Sequence, residues 1–93
     1  MATAFLFEFP GVTQEQYDAV MRDLTQAQGK PAPGNHFHAA GPMEGGWWAL
    51  DVWESPERLQ QYLEEELGAA IQRHGLPAVQ PRMLSVYNML TNG

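Results

Sequence analysis

The 93-residue chain contains no cysteine, only five lysine and arginine residues, and no long apolar run. Each absence removes a class of answer. Without cysteine there is no disulfide, no thiolate nucleophile and no Cys-ligated zinc or iron–sulfur site. Five basic against eleven acidic residues give a net charge of 5 − 11 = −6, and the five do not cluster. Phosphate backbones and anionic bilayers need concentrated positive charge, so neither nucleic acid nor a membrane surface is an expected partner. No stretch approaches the ~20 apolar residues of a bilayer span, and residues 1–11 lack a basic start followed by a long apolar core. A cytoplasmic setting is expected. What remains is one domain, residues 1–93, that binds a small molecule or another protein. A chain this short buries only roughly 60–65% of its unfolded surface, so a pocket competes with the core for apolar side chains, and a second copy is a natural source of help.

Thr3–Phe9 is rich in β-formers and stops at Pro10-Gly11, which predicts a strand and a turn. The period then changes. Thr13 with Gln16 three residues on has the form of a capping box, and Tyr17, Val20, Met21, Leu24 and Ala27 recur at helical spacing up to Gly29. Gly29–Gly34 reads as a loop from its prolines and glycines. Asn35–Ala40 and Trp47–Glu54 predict two strands reversed through Gly41–Gly46. Ser55-Pro56-Glu57 supplies a cap, a first-turn proline and an acid where the helix dipole favours one. The helix it opens carries Leu59, Tyr62, Leu63, Leu67, Ala70 and Ile71 as its apolar stripe and ends near His74-Gly75. Met83–Leu90 alternates as a last strand, with Thr91–Gly93 expected to fray.

The order β-α-β-β-α-β is the ferredoxin-like split βαβ pattern, an α+β fold with one four-stranded antiparallel sheet and two helices on one face. The strands carry bulky apolar residues at both parities: Phe5, Phe7 and Phe9 against Leu6, and Trp48, Leu50 and Val52 against Trp47 and Trp53. Two helices cover one face only. The other is an apolar patch of the kind that marks an interface, and a homodimer through the open sheet face is expected.

Phe37-His38-Ala39-Ala40-Gly41-Pro42, Gly45-Gly46-Trp47, Leu50-Asp51-Val52-Trp53-Glu54-Ser55 and Tyr87-Asn88-Met89-Leu90 together resemble the dimeric α+β barrel superfamily, and within it the small antibiotic biosynthesis monooxygenase-like proteins. That superfamily hosts cofactor-free monooxygenases of polyketide quinols, polyketide cyclases, lactone isomerases, and proteins that bind or degrade haem. The resemblance implies a dimeric barrel and, in the monooxygenases, asparagine and tryptophan residues around an aromatic substrate that itself activates oxygen. Residues of those types here include Trp47, Trp48, Trp53, Asn35 and Asn88.

Hairpin register decides which polar groups meet. A two-residue turn at Met43-Glu44, or a four-residue loop Pro42–Gly45, sets Ala40 opposite Trp47, His38 opposite Ala49 and His36 opposite Asp51. One face then carries His36, His38, Trp47, Asp51 and Trp53, suited to a pocket. The other carries Phe37, Ala39, Trp48, Leu50 and Val52, suited to a core. His36 and His38 point the same way, about 6–7 Å apart on a strand. With Asp51 they form a conceivable metal set, but the stronger reading is acid–base chemistry, because histidine titrates near neutrality and a carboxylate orients it. His38, with Asp51 and then His36, is the catalytic candidate. Asp51 sits mid-strand among apolar residues and needs a partner: a histidine, Arg82 or a backbone donor. Trp47 and Trp53 can line a flat cavity, Tyr17 and Tyr62 can direct hydroxyls into it from the helices, and Tyr87 is a further substrate-binding candidate. His74 reads as a helix cap and Glu64–Glu66 as a solvated face. No phosphate loop, Ser-His-Asp ordering or His-Glu-x-x-His segment is present.

Two functions follow. The first is a cofactor-independent monooxygenase, or a related proton-transfer catalyst such as a cyclase, acting on a small aromatic or polyketide-like molecule without metal. The alternative is a non-catalytic dimer that binds a small ligand, including haem through His36 or His38.

Overall fold

The computed structural model of the chain describes residues 2–24 and 32–90. Ala27 and residues 29–31 of the Gly29–Gly34 loop, like Thr91–Gly93, lie outside the described residues. The elements follow the expected order: β1 (Thr3–Pro10), α1 (Gln14–Arg22), β2 (Asn35–Met43), β3 (Gly46–Trp53), a second helical rod and β4 (Arg82–Ser85). The strands form one antiparallel sheet in the order β2-β3-β1-β4. This is the α+β ferredoxin-like arrangement.

Local chemistry explains the helix starts. The Thr13 hydroxyl accepts from the Gln16 N–H at 3.2 Å, while the Gln16 side chain accepts from the Thr13 N–H at 3.0 Å. The reciprocal pair satisfies two donors that the first turn of α1 otherwise leaves open. Ser55 caps the second rod by accepting from the Arg58 N–H, with Pro56 at its first position.

That second rod is not the uninterrupted α-helix its stripe suggests. It runs as α2 (Pro56–Tyr62), a π-helical turn (Leu63–Leu67) and α3 (Gly68–Arg73). The widened turn brings the Leu63 carbonyl against position 68, where a Cβ would lie 2.8 Å from that oxygen. Glycine is what permits the approach.

Alternation along β1 sorts the sheet. Phe5, Phe7 and Phe9 are buried beneath the helices with Val20, Leu24, Leu59, Tyr62 and Ala70, and Trp53 completes that core with no exposure at all. Truncating so large a buried aromatic to alanine costs about 3–5 kcal/mol. Leu6, Trp48 and Leu50 point to the opposite face and are only half-buried, and Phe37 beside them is exposed. Of Phe37, Ala39, Trp48, Leu50 and Val52, expected to form the core, only Val52 is buried; the main core instead shares the helix-covered face with the site.

The hairpin register is also corrected. The turn is Glu44-Gly45, with Gly45 at φ 77°, so Met43 pairs with Gly46 and His38 with Asp51. This differs by two residues from the expected register, which preserves the parity of both strands. Gly41 and Pro42 fall inside β2 rather than in a loop because β2 is an edge strand, where a proline need not donate. At the other end of β2 a bulge lies between Asn35 and Phe37, so that Asn35 faces Trp53 and Phe37 faces Val52. His36 is the extra residue and is exposed.

The last strand is shorter than Met83–Leu90. It ends at Ser85 after pairing with Thr3–Leu6 of β1, and Tyr87 and Leu90 are exposed. Pro81 cannot donate a ladder hydrogen bond, which bounds the strand at its start. No helix among the described residues is long and apolar enough to cross a membrane.

Candidate functional site

The site is built from the centre of the sheet outward. Asp51 lies in the middle strand of the β2-β3-β1 trio, between His38 on one side and Phe5 on the other, and is buried. A carboxylate there needs compensation, because desolvating an unpaired charge is expensive. It has two partners. Oδ1 is bonded to His38 Nδ1, and Oδ2 accepts from the Trp53 indole N–H at 3.5 Å. Arg82, considered as a partner from sequence, is instead exposed on β4 opposite Leu6.

His38 is engaged at both ring nitrogens. With Nδ1 given to Asp51, Nε2 meets the Tyr17 hydroxyl at 2.5 Å, projected from the first turns of α1. If Nδ1 carries the proton, as an ionised Asp51 favours, then Nε2 is an acceptor and Tyr17 O–H is its donor. The capped start of α1 thus delivers the phenol to the strand. The Tyr17 and His38 rings are parallel, and Trp47 packs on Tyr17 with centroids 5.5 Å apart. Burial, and then the negative charges of Asp51 and Asp18, push the Tyr17 phenol up to about 12. It stays a neutral donor at physiological pH.

Tyr17, His38, Asp51 and Tyr62 share the wall of one cavity of about 50 Å³, otherwise lined by apolar side chains such as Val20, Met21 and Leu67. A larger cleft of about 620 Å³ opens between β1, the second helical rod and residues 76–81. Phe7, Phe9, Ile71 and Leu76 border both spaces.

The structure thus brings together His38, Asp51, Tyr17, Tyr62 and Trp47, with Trp53 behind them as a fully buried support. His36 does not join, because the bulge places it outside the face it was expected to share with His38. Tyr87 does not join either: it is 101% exposed, beyond the end of β4. Asn88 is exposed as well. Asn35 is buried, and neither atom of its amide has a hydrogen-bond partner among the described residues. His74 caps α3 and also bonds Asp23 at the end of α1, at 2.6 Å. Glu64 and Glu65 are exposed and accept from Gln61 and Gln60 side chains one turn back, Gln60 to Glu64 and Gln61 to Glu65. The cleft walls from residues 76–81 were not legible in sequence. Nothing in the sequence marked that segment as lining a site.

Grouped metal ligands, three or more, are not found among the described residues. Haem ligation needs a free imidazole nitrogen. Both of those on His38 are hydrogen-bonded, whereas His36, the other histidine considered for haem, is exposed on β2.

No protein-family model matches the chain, and no curated protein matches it in sequence. Solved structures do. A provisionally named antibiotic biosynthesis monooxygenase from Chloroflexus aurantiacus J-10-fl superposes over 100% of both chains with a TM-score of 0.70 at 18% identity. Another protein so named, from Deinococcus radiodurans, superposes over 98% of this chain and 97% of its own, with a TM-score of 0.58 at 9% identity. At such identities the likeness establishes the shared fold, and chemistry must be argued from the site.

Proposed function

We propose that this chain is a proton-transfer catalyst of the cofactor-independent monooxygenase type, acting on a small aromatic or polyketide-like molecule. The observation that carries the reading is the Tyr17–His38–Asp51 chain of hydrogen bonds on the wall of an apolar cavity. Asp51 holds the imidazole by Nδ1 and stabilises the imidazolium that forms, as a buried carboxylate does for a catalytic histidine. The proton-accepting atom is His38 Nε2. A substrate O–H or activated C–H gives its proton to Tyr17 as Tyr17 gives its own to Nε2, so no tyrosinate accumulates. The substrate anion then reduces O2. For an activated CH2 group the sum is CH2 + O2 giving C=O + H2O, with the substrate supplying all the electrons. Apolar walls keep water from the anion.

The reading includes one domain over residues 1–93, a cytoplasmic setting, and pairing of two copies through the open face that carries Leu6, Phe37, Trp48 and Leu50. Light scattering is expected to give twice the monomer mass, and a stable monomer would remove the pairing. The direct assay is oxygen uptake with a panel of anthrones and quinols. His38→Ala is expected to lower turnover by about 10²–10⁴-fold. Turnover that survives this substitution unchanged excludes His38 as the base.

A further inference from the structure

We propose that the Tyr62 hydroxyl is the hydrogen-bond donor that holds the substrate's carbonyl oxygen while His38 takes up the proton, an assignment that rests on the proton-transfer reading above. Three observations converge on it. The Tyr62 side chain is buried, 6% exposed, and its hydroxyl has no hydrogen-bond partner among the described residues. An unsatisfied buried hydroxyl is costly, and such groups persist where a ligand supplies the missing partner. Tyr62 is one of the residues that line the cavity shared with His38 and Tyr17.

The third observation is the state of the other donors. Among the residues lining this cavity, Tyr17 is committed to His38 and His38 to Asp51, and no lysine or arginine is present. Tyr62 is the uncommitted O–H. Burial, and then the charges of Glu66 and Asp51, raise its ionisation well above that of an ordinary phenol, so it remains a donor throughout the physiological range. Its ring packs on Trp53 with centroids 5.3 Å apart, and Trp53 in turn donates to Asp51. The donor and the carboxylate behind the base are therefore seated on the same buried indole. The first residue of the π-helical turn follows Tyr62 directly, which ties its placement to the irregularity in the rod.

The chemistry is that of an oxyanion donor. As the proton leaves the carbon or oxygen conjugated with a carbonyl, the electron pair moves onto the carbonyl oxygen and forms an enolate. The Tyr62 O–H bond remains intact and its hydrogen bond strengthens as that charge grows. The proton ends on His38. The substrate class that fits is an uncharged ketone or quinoid compound whose carbonyl is conjugated with the acidic position.

Tyr62→Phe keeps the ring on Trp53 and removes only the orphaned hydroxyl. In the ligand-free protein it is expected to hold or raise Tm, whereas loss of a structural hydrogen bond would lower it. With anthrone in D2O under anaerobic conditions, catalysed exchange of the acidic hydrogens is expected to slow by about 10²-fold. The carbonyl stretch of bound 9-fluorenone, a ketone with no acidic hydrogen, reads the donor without the base. It is expected to lie at lower frequency in wild type and in His38→Ala than in Tyr62→Phe. An equal stretch in wild type and Tyr62→Phe, failure of fluorenone to bind wild type, or a lowered Tm overturns the assignment. Loss of the base reading shows differently, as anthrone exchange that His38→Ala leaves unchanged.

Discussion

Asp51 and His38 are directly opposed residues on neighbouring strands, and the carboxylate of one is bonded to Nδ1 of the other. Direct opposition on the same face is what lets two short side chains meet across a ladder. It also sets the imidazole's orientation, since the strand fixes the Cβ and the carboxylate fixes the ring. A residue such as Asp51 is tolerable at the centre of an apolar face because its bonds to His38 and Trp53 replace the water it lost.

Replacing Asp51 by asparagine tests that relationship. An amide presents a donor as well as an acceptor, so it no longer enforces the Nδ1–H tautomer, and Nε2 ceases to be a reliable acceptor. Turnover is expected to fall by about 10²–10⁴-fold with the fold retained. Nitrogen chemical shifts of the His38 ring are expected to show protonation moving from Nδ1 toward Nε2. An unchanged tautomer together with full turnover contradicts the orienting role.

The Tyr17 phenol, pushed up to about 12, makes a pH prediction. Its neutral form is favoured by the fold, while in the unfolded chain the phenol ionises near its usual value of about 10. Between those values the unfolded chain binds fewer protons than the native one, so stability falls as pH rises across this window. Absorbance at 295 nm is expected to show two tyrosines fewer titrating near pH 10 in wild type than in the denatured protein, Tyr17 and Tyr62, with Tyr17→Phe removing the earlier of the two late-titrating signals.

Asp23 acts at the acid end. Hydrogen bonds from His74, first, and Arg73 lower its ionisation below that of an ordinary carboxyl and tie the end of α1 to the end of α3. A depressed carboxyl contributes stability above its unfolded value, and that contribution is lost as pH falls through the folded value. Asp23→Asn is expected to flatten the loss of Tm below about pH 4, measured by thermal melts across the acid range. A parallel loss in both proteins removes Asp23 from the acid response.

Gly46 sets the spacing between β3 and β1. A Cβ at this position would lie 2.2 Å from the Phe9 carbonyl oxygen, which is backbone and has no side-chain rotation to give. Gly46→Ala is expected to destabilise the fold by about 1–3 kcal/mol or more, the range for overpacking. Denaturant unfolding with an unchanged m-value is the measurement. Gly41 provides the milder comparison, since its nearest obstacle is the edge of the Trp48 ring at 3.3 Å.

Much of this protein was legible in its sequence because the signals were local. Thr13 with Gln16, and Ser55 with Pro56, announce helix starts through side chains that bond backbone three residues away. The alternation of Phe5, Phe7 and Phe9 assigns a face, because strand side chains repeat every two residues. Even the pocket face of the hairpin was identified despite a two-residue error in register, since a shift of two leaves parity intact. That Asp51 needs a partner followed from chemical need, with a histidine among the candidates; that the partner is His38 came from the register.

The tertiary structure decided what depends on distance along the chain. His36 and His38 are equivalent by spacing, and only the bulge between Asn35 and Phe37 separates the exposed ring from the bonded one. Which face the helices cover is not a property of any strand; it made Trp53 the fully buried support and left Trp48 on the open side. Tyr17 and His38 meet across 21 residues, and Tyr62 enters the same cavity from a helix widened at its next residue. Local sequence determines elements and faces through bonds a few residues long. Bringing a phenol, an imidazole, a carboxylate and a second phenol into one cavity requires those elements to pack, and packing is a property of the whole chain.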